Sequence, residues 1–368
     1  MNAASTPRAW AALAQKHLPH AALVALLREF GGPDAVLAAT RPQLARVVPE
    51  VTVDRVLVPP DTAGLELTVA WLAQPGHELI AWDDPDYPQA LLELGFAPPV
   101  LYFVGQRQVL NRPALAIVGS RNATAQGRDN AQAFGHALSE AGLAIVSGLA
   151  LGIDAAAHRG GLAGRAGTLA VVGTGPDRVY PARHRDLAHA IVAHGGMVSE
   201  FPPGTPPASW NFPRRNRLIS GLARGVLVVE AALSSGSLIT ARYAGEQGRE
   251  VFAIPGSIHS PLAKGCHKLI REGAKLVETA QDILVELGLA APAADVSGAA
   301  SPQPDSALLA ALGDDPVGLD TLIERTGMPA DTLLAELTEL DIAGAVSPVA
   351  GGRWQRRRGP ANFVASGS

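Results

Sequence analysis

Between Leu115 and Leu287 seven strand-length apolar runs (LAIVG, AIVSG, TLAVVG, MVSEF, GVLVVE, EVFAIPG and AKLV) are separated in nearly every case by helix-length amphipathic segments. Runs that stay apolar along their whole length suit strands buried on both faces, and their alternation with helices suits parallel crossover units. The predicted fold class is α/β, a doubly wound, mostly parallel sheet. Such sheets bind ligands in the crevice beyond the carboxyl ends of their strands. Function is therefore sought in the residues that follow each run.

Those residues are glycines, small hydroxyls and arginines. The first run leads into Gly119-Ser120-Arg121-Asn122-Ala123-Thr124 and the second into Gly148-Leu149-Ala150-Leu151-Gly152-Ile153-Asp154. The third leads into Gly173-Thr174-Gly175-Pro176-Asp177-Arg178. No GxGxxG follows the first strand, and GTGPDR lacks the third glycine, so a dinucleotide site is poorly supported. Between Glu200 and Glu230 there is no acidic residue, yet Arg214, Arg215, Arg217 and Arg224 all fall there. Uncompensated arginines at the mouth of a sheet favour an anion. Ser234-Ser235-Gly236-Ser237 then opens a helical pattern from Leu238 to Gln247. Such a turn offers free N–H groups and the positive end of a dipole to a phosphate, and it equally serves as a simple helix cap. With Arg121, Arg178, Arg183 and Arg185, these turns are what a long polyanion needs.

Composition narrows the partner. The chain has 368 residues, too many for one ordinary core, and a net charge of −4, which excludes a uniformly basic coat while allowing a local basic groove. Aromatics are 5% of residues, too few for a long stacking platform; Phe212 and Trp210 are the nearest stacking candidates, and both also read as core. One cysteine, Cys266, excludes an intrachain disulfide framework and fits a reducing compartment. No apolar run reaches membrane-spanning length and no signal-peptide core opens the chain, so a cytoplasmic protein without membrane association is expected.

Catalytic and metal chemistry find little support. Asp154 and His158 sit at i, i+4, but no serine or cysteine nucleophile occupies a matching turn, and Asp154 reads as a helix cap or as the residue orienting the Gly148–Gly152 loop. His184, His189 and His194 lack accompanying ligands and read as a solvated helix face, so no metal or cofactor is expected.

The flanks are organised differently. Residues 1–76 read as a small domain of short helices in which FGG before PDAVLAA faintly suggests a helix-hairpin-helix; a helical cap or interaction role fits better. A connector follows over 77–112, then the α/β core over 113–288 and an Ala/Pro/Ser-rich linker over 289–304. Three helix-length segments and a hairpin over 305–358 have the order of a winged helix, with Leu333, Leu334, Leu337 and Leu340 as the core face of its third helix. From Asp305 to Asp341 nine carboxylates face the single Arg325. A helix displaying Asp331, Glu336 and Glu339 repels phosphates, so this domain is expected to contact protein rather than read duplex DNA. The tail arginines Arg353, Arg356, Arg357 and Arg358 still suit a backbone.

In combination, IVGSR, SGLALGIDAAAHRGGL, TLAVVGTGPDRVYPARHRDL, SEFPPG, NFPRRNRLISGLA, VVEAALSSGSLITA, IPG and GCHKLIREGAKL resemble the DNA-processing protein A (DprA/Smf) family over about residues 115–287. His184 departs from the family pattern, which usually has Asn there. The resemblance implies an extended Rossmann-like core flanked by an N-terminal helical (SAM or helix-hairpin-helix-like) domain and a C-terminal winged helix. It implies a non-enzymatic, sequence-independent single-stranded DNA-binding protein that protects incoming strands and helps load the RecA recombinase in natural transformation and recombination. The residues it places on DNA are Gly119, Ser120, Arg121, Gly148, Leu149, Ala150, Gly152, Arg183, Arg185, Phe212, Arg214, Arg215, Asn216, Arg217, Ser235, Gly236, Ser237 and Thr240. It places His267, Ile270 and Leu276 on a homodimer face, although Leu269 and Ile270 are equally at home in a core. Two alternatives remain. One is a Rossmann-like nucleotide phosphoribohydrolase using Glu230, against which the missing glycine pair of its turn counts. The other is a RecA adaptor with little direct DNA binding.

Overall fold

A computed structural model describes residues 6–289, 307–313, 315–349 and 351–357. Six helices open the chain: α1 (Pro7–Ala14), α2 (His20–Phe30), α3 (Pro33–Ala38), α4 (Arg41–Leu44), α5 (Glu50–Leu57) and α6 (Thr62–Leu72). Each is short because the sequence stops it. Gly31 caps α2 in the left-handed conformation at φ 81°, and Pro33 then starts α3. The helices do not stand apart from the sheet. Trp10, Leu13, Leu23, Leu26, Val36 and Trp71 share one core with Tyr102, Val172 and Leu149.

The sheet comprises β1 (His77–Ala81), β2 (Val100–Gly105), β3 (Ala114–Val118), β4 (Ala144–Ser147), β5 (Thr168–Val171), β6 (Gly196–Ser199), β7 (Gly225–Val228), β8 (Glu250–Ala253) and β9 (Lys275–Leu276). Its spatial order is β1-β2-β6-β5-β4-β3-β7-β8-β9. β3 to β9 are parallel, each overlapping a predicted run and stopping one to three residues before that run's end, and β1 and β2 add antiparallel pairs at one edge. β1 escapes a sequence reading because HELIA has only three apolar residues and sits in a connector. The crossover helices are α8 (Ala125–Glu140), α9 (Ile153–Ala163), α10 (Arg185–His194), α11 (Asn211–Gly221), α12 (Ser237–Glu246) and α13 (Lys264–Arg271), with α7 (Gln89–Leu92) before β2 and α14 (Ala280–Glu286) after β9. β3 and β4 lie on one side of the reversal and β7 on the other, so the order turns around between β3 and β7. In open α/β sheets that switch point is where the crevice opens.

α8 and α9 pack unusually close. A Cβ on Gly160 would sit 2.1 Å from the Gln132 carbonyl, so only glycine permits this helix pair its separation. The winged-helix region follows as α15 (Ala307–Leu312), α16 (Leu319–Thr326) and α17 (Ala330–Ile342), with a small sheet of order β10-β12-β11 built from β10 (Val317–Gly318), β11 (Val346–Val349) and β12 (Arg353–Arg356). Leu333 and Leu337 are buried in its core, Leu340 is partly buried, and Leu334 is 42% exposed and so leaves the predicted core face. The linker beyond Leu289, Asp305, Asp314 and Arg358 lie outside the described residues.

Candidate nucleic-acid interface

A cleft of about 780 Å³ opens at the switch point. Its floor is the turn after β3: Ser120 N–H donates to the Glu230 carbonyl at 2.7 Å, tying β3 to β7 just beyond their last paired residues. Gly119, Ser120 and Arg121 line it, with Ala150 and Asp154 from the β4 side, Phe212 and Asn216 from α11, and Ser235, Gly236, Ser237 and Thr240 from the start of α12. Thus much of the residue set predicted for DNA converges on one cleft. Tyr180, which sequence reasoning did not single out, joins it; its ring stands 5.6 Å from that of Phe212. Neither Phe212 nor Trp210 is core: Phe212 is partly buried in the cleft wall and Trp210 is 75% exposed.

The arginines divide into unlike roles. Arg121 is exposed, its guanidinium carbon 5.7 Å from the Phe212 ring centroid, and no carboxylate among the described residues lies within ion-pair distance of it, Asp154 feeling its charge only at longer range. Arg215 is only 4% exposed; its Nη1 donates to the Gly148 carbonyl at 2.8 Å and also to that of Val171. Burial pulls the Arg215 guanidinium down to about 10, Asp154 opposing the shift. Arg214 and Arg217 leave α11 on the other side, away from the cleft, and both bond Glu200 Oε2. The expectation of uncompensated arginines is thereby corrected. Glu200 is adjacent to the long acid-free stretch, and its side chain, 1% exposed, turns back onto them. Arg183 and Arg185 are exposed at the start of α10 and do not line the cleft.

Buried polar side chains fix the Gly148–Gly152 loop. Asp154 Oδ2 accepts the N–H groups of Gly148 at 3.1 Å and Ala150 at 3.3 Å. Burial raises the Asp154 carboxyl above its ordinary value, and Arg215 with these two N–H groups works against that. Leu149 is buried with φ 57°, a left-handed conformation that a leucine adopts only when its surroundings hold it there. His158 Nε2 accepts its N–H at 3.3 Å, and His184 Nδ1 donates to its carbonyl at 2.9 Å. His184 is therefore not on a solvated face, a correction to the sequence reading, whereas His189 and His194 are exposed. The unexpected histidine has a defined bond after all. Gly152 has φ 74°, and a Cβ there would lie 2.2 Å from the Ser120 carbonyl. Leu149 and Gly148 thus face inward as supports rather than lining the cleft.

The β5 turn at Gly173 also supports without lining. A Cβ on Gly173 would press the Phe212 ring at 2.9 Å, so glycine lets that ring seat. Glu230 does not line the cleft. Its Oε1 accepts the Thr124 hydroxyl at 2.6 Å and its Oε2 the Thr124 N–H at 2.9 Å, holding the start of α8. Among the described residues no group of three or more His, Cys, Asp or Glu side chains could hold a metal ion. No helix of the described residues is long and apolar enough to cross a membrane.

On the far edge, His267 Nε2 meets the Gly256 carbonyl at 3.0 Å, Ile270 packs against the core while half-buried, and Leu276 on edge strand β9 is 45% exposed.

The model of the DNA recombination-mediator protein A family matches residues 78–288, and that of the DprA winged helix domain matches 290–352. Protein Smf of Escherichia coli (strain K12) is 44% identical over 306 residues, covering 80% of this chain and 81% of the relative. A putative DNA processing protein DprA of Mycobacterium tuberculosis is 36% identical and covers 98% of this chain and 97% of its own. Among solved structures, DNA processing protein A from Streptococcus pneumoniae superposes with a TM-score of 0.66 at 37% identity, over 77% of this chain and 98% of that one. The Helicobacter pylori protein, described for its single-stranded DNA binding mode, superposes at 0.52 with 28% identity, over 57% and 95%.

Proposed function

The chain belongs to the DNA recombination-mediator protein A family, and from that premise we propose that it binds single-stranded DNA, without sequence preference, in the switch-point cleft. The observation that carries this reading is Arg121, exposed, unpaired with any described carboxylate and set over the Phe212 ring. A guanidinium beside an aromatic face suits a strand: the charge meets a phosphate while Phe212 and Tyr180 offer surfaces to a base. Ser235, Gly236 and Ser237 at the start of α12 add N–H groups and hydroxyls on the opposite wall. Ser120, Ala150, Asn216 and Thr240 shape the cleft between them, and the exposed Arg183 and Arg185 extend the path outward.

The protein acts in the cytoplasm in this reading, protecting incoming strands and helping load the RecA recombinase as part of natural transformation and recombination. It works as a homodimer through His267, Ile270 and Leu276, since β9 leaves a sheet edge open for pairing. It is not an enzyme. The hydrolase alternative needs Glu230 at the substrate, and both of its oxygens are engaged by Thr124 outside the cleft.

The test is a titration of labelled oligo-dT and the matched duplex against wild type and Arg121→Ala over a range of salt. Tight single-strand binding that weakens with salt and is lost in the variant supports the cleft. Equal binding by wild type and variant overturns it.

A further inference from the structure

A cavity of about 690 Å³ lies in the seam between the N-terminal helices and the sheet. Lys16 and His17 after α1, Arg55 of α5, Ala63 of α6 and the loop from Pro202 to Thr205 after β6 line it. Cations gather there without acids to match. Arg55 and His17 are exposed, and Arg55 Nη1 donates to the His17 carbonyl at 3.3 Å. Lys16 lies beneath them, 7% exposed, its ammonium on the Val58 carbonyl. Among the described residues no carboxylate lies within ion-pair distance of Arg55, His17 or Lys16, and the neighbouring Asp54 pairs with Arg41 instead. Arg214 of α11, half exposed, acts on the same ring: burial first, then Arg214 and Arg55, hold the His17 imidazole below its ordinary value. The one carboxylate on the lining, Asp61, turns over the start of α6, where a Cβ on Gly64 would meet its Oδ2 at 2.5 Å.

His17 is strained as well as crowded by charge. Its φ of 47° lies in the left-handed region, which non-glycine residues adopt sparingly. Strain of this kind persists where the surroundings hold it, and it gathers at ligand sites. Like charges held close repel one another, and an anion between them turns that repulsion into attraction. The loop after β6 indicates which anion. Pro202 to Thr205 line the seam, while Pro207 and Ser209 line the switch-point cleft. Thr205 and Pro207 are two positions apart, so at most about 7 Å separates their Cα atoms. A ligand with phosphates at regular intervals reaches both places; a single phosphate reaches one.

We propose that the seam is a phosphate site for the backbone of a strand leaving the switch-point cleft, gripped by Arg55 and His17 while Arg214 and Lys16 add their charge. The proposal rests on the single-strand reading above; a free polyphosphate offers the same oxygens. Oligo-dT of about 5 and about 20 nucleotides is titrated against the full chain over a range of salt. Tripolyphosphate is titrated separately, with the His17 imidazole followed by NMR and assigned from the signal missing in His17→Gln. The variants are Arg55→Gln and Ala63→Glu. Ala63 is exposed on the lining in the first turn of α6, where a carboxylate suits the helix dipole, so the chain keeps its fold while the seam gains a negative charge. Both variants are expected to bind the long oligomer roughly tenfold more weakly, the effect of one charged hydrogen bond, and the short one unchanged. Arg55→Gln should also lower the salt slope for the long oligomer by about 0.7, one phosphate contact on a single strand. Arg121→Ala, weakening both lengths, reports on the cleft alone. Oligomers that bind with equal losses at both lengths, or with none at either, overturn the proposal and leave the cleft standing. If no oligomer binds, the single-strand reading fails; a His17 shift with tripolyphosphate that Arg55→Gln abolishes then upholds the phosphate site with a free anion as occupant, and an unmoved His17 overturns it.

Discussion

The backbone N–H of Leu149 points at Nε2 of His158, 3.3 Å away, and that contact helps hold a buried leucine in the left-handed region at φ 57°. The other ring nitrogen settles which tautomer does this. Thr168 gives its hydroxyl proton to the Ile145 carbonyl at 2.6 Å, so its oxygen can only accept from His158 Nδ1 at 2.7 Å. Nδ1 carries the proton and Nε2 is a free acceptor. A protonated imidazolium would have to turn a donor against the Leu149 N–H, and the site would lose its support.

His158 therefore makes stability depend on pH. Burial, with His184 and Arg215 adding to it, pushes the imidazole down to about 3. Its folded value lies below the unfolded one of about 6.5, so the unfolded chain binds the extra proton. The contribution is complete above about pH 6.5 and is lost as pH falls toward 3, at up to ~1.4 kcal/mol per unit. Asp154, Glu200 and Glu230 are raised by burial and shift stability the opposite way as pH falls, so the His158 contribution is read from the difference between wild type and a His158→Gln chain that keeps all three carboxylates. Thermal unfolding is expected to drop between pH 7 and 5 in wild type, and to drop less in a destabilised His158→Gln chain. Parallel pH profiles would remove His158 as the cause.

Arg121 and Arg215 should separate cleanly in mutagenesis, though both line the same cleft. Arg121→Ala removes an exposed charge with no described ion-pair partner, so the unfolding temperature should stay within about 1 °C of wild type while strand affinity falls. Arg215→Ala removes the donor to the Gly148 and Val171 carbonyls in the interior and the stronger of the two cations acting on Asp154, leaving only Arg121, a cost of about 3 kcal/mol or more. Circular dichroism melts beside the DNA titration distinguish a support from a contact. An Arg215→Ala chain as stable as wild type would refute the assignment.

The parallel core was legible because burial on both faces forces apolar runs, and a run as short and as uniformly apolar as GVLVVE suits a central strand far better than a surface element. The positions of the strand ends followed from it, and Gly119, Arg121, Phe212 and Ser235 to Ser237 do meet in one cleft. What a linear reading could not give was direction. Arg214, Arg215 and Arg217 occupy neighbouring positions of one basic segment, yet helical rotation sends the middle one into the core and the outer two toward Glu200. His184 looked like one of a regular set, and only the approach of the Leu149 carbonyl singles it out. Tyr180 stands inside the motif TLAVVGTGPDRVYPARHRDL between Arg178 and Arg183, but its part in the cleft is not legible there, because it reaches the cleft only through the packing of the turn before α10 against α11.

Glu230 gives a prediction that bears on catalysis. Its two oxygens receive the hydroxyl and N–H of Thr124, at the cap of α8. Thr124→Ala should cost about 1 kcal/mol through the lost cap. No free base should be released from nucleoside monophosphates by wild type or by Glu230→Gln. Base release by wild type that disappears in Glu230→Gln would restore the hydrolase reading.

Glu200 makes the two outer arginines unequal. Arg217 has a side chain 15% exposed, bonds the Phe96 carbonyl at 3.1 Å, and reaches the same Glu200 oxygen as Arg214, which is 50% exposed. Water screens the Arg214 pair, so Arg214→Ala should cost below about 1 kcal/mol. Arg217→Ala removes the more buried partner and strands the Phe96 carbonyl as well; about 2–3 kcal/mol is expected, less than for an isolated buried pair because Arg214 remains on the carboxylate. Glu200→Ala should cost more than either, since both arginines lose their carboxylate and Arg217 stays largely buried. Denaturant melts of the three variants test the order. Equal losses for Arg214→Ala and Arg217→Ala would mean that burial does not set the strength of this network.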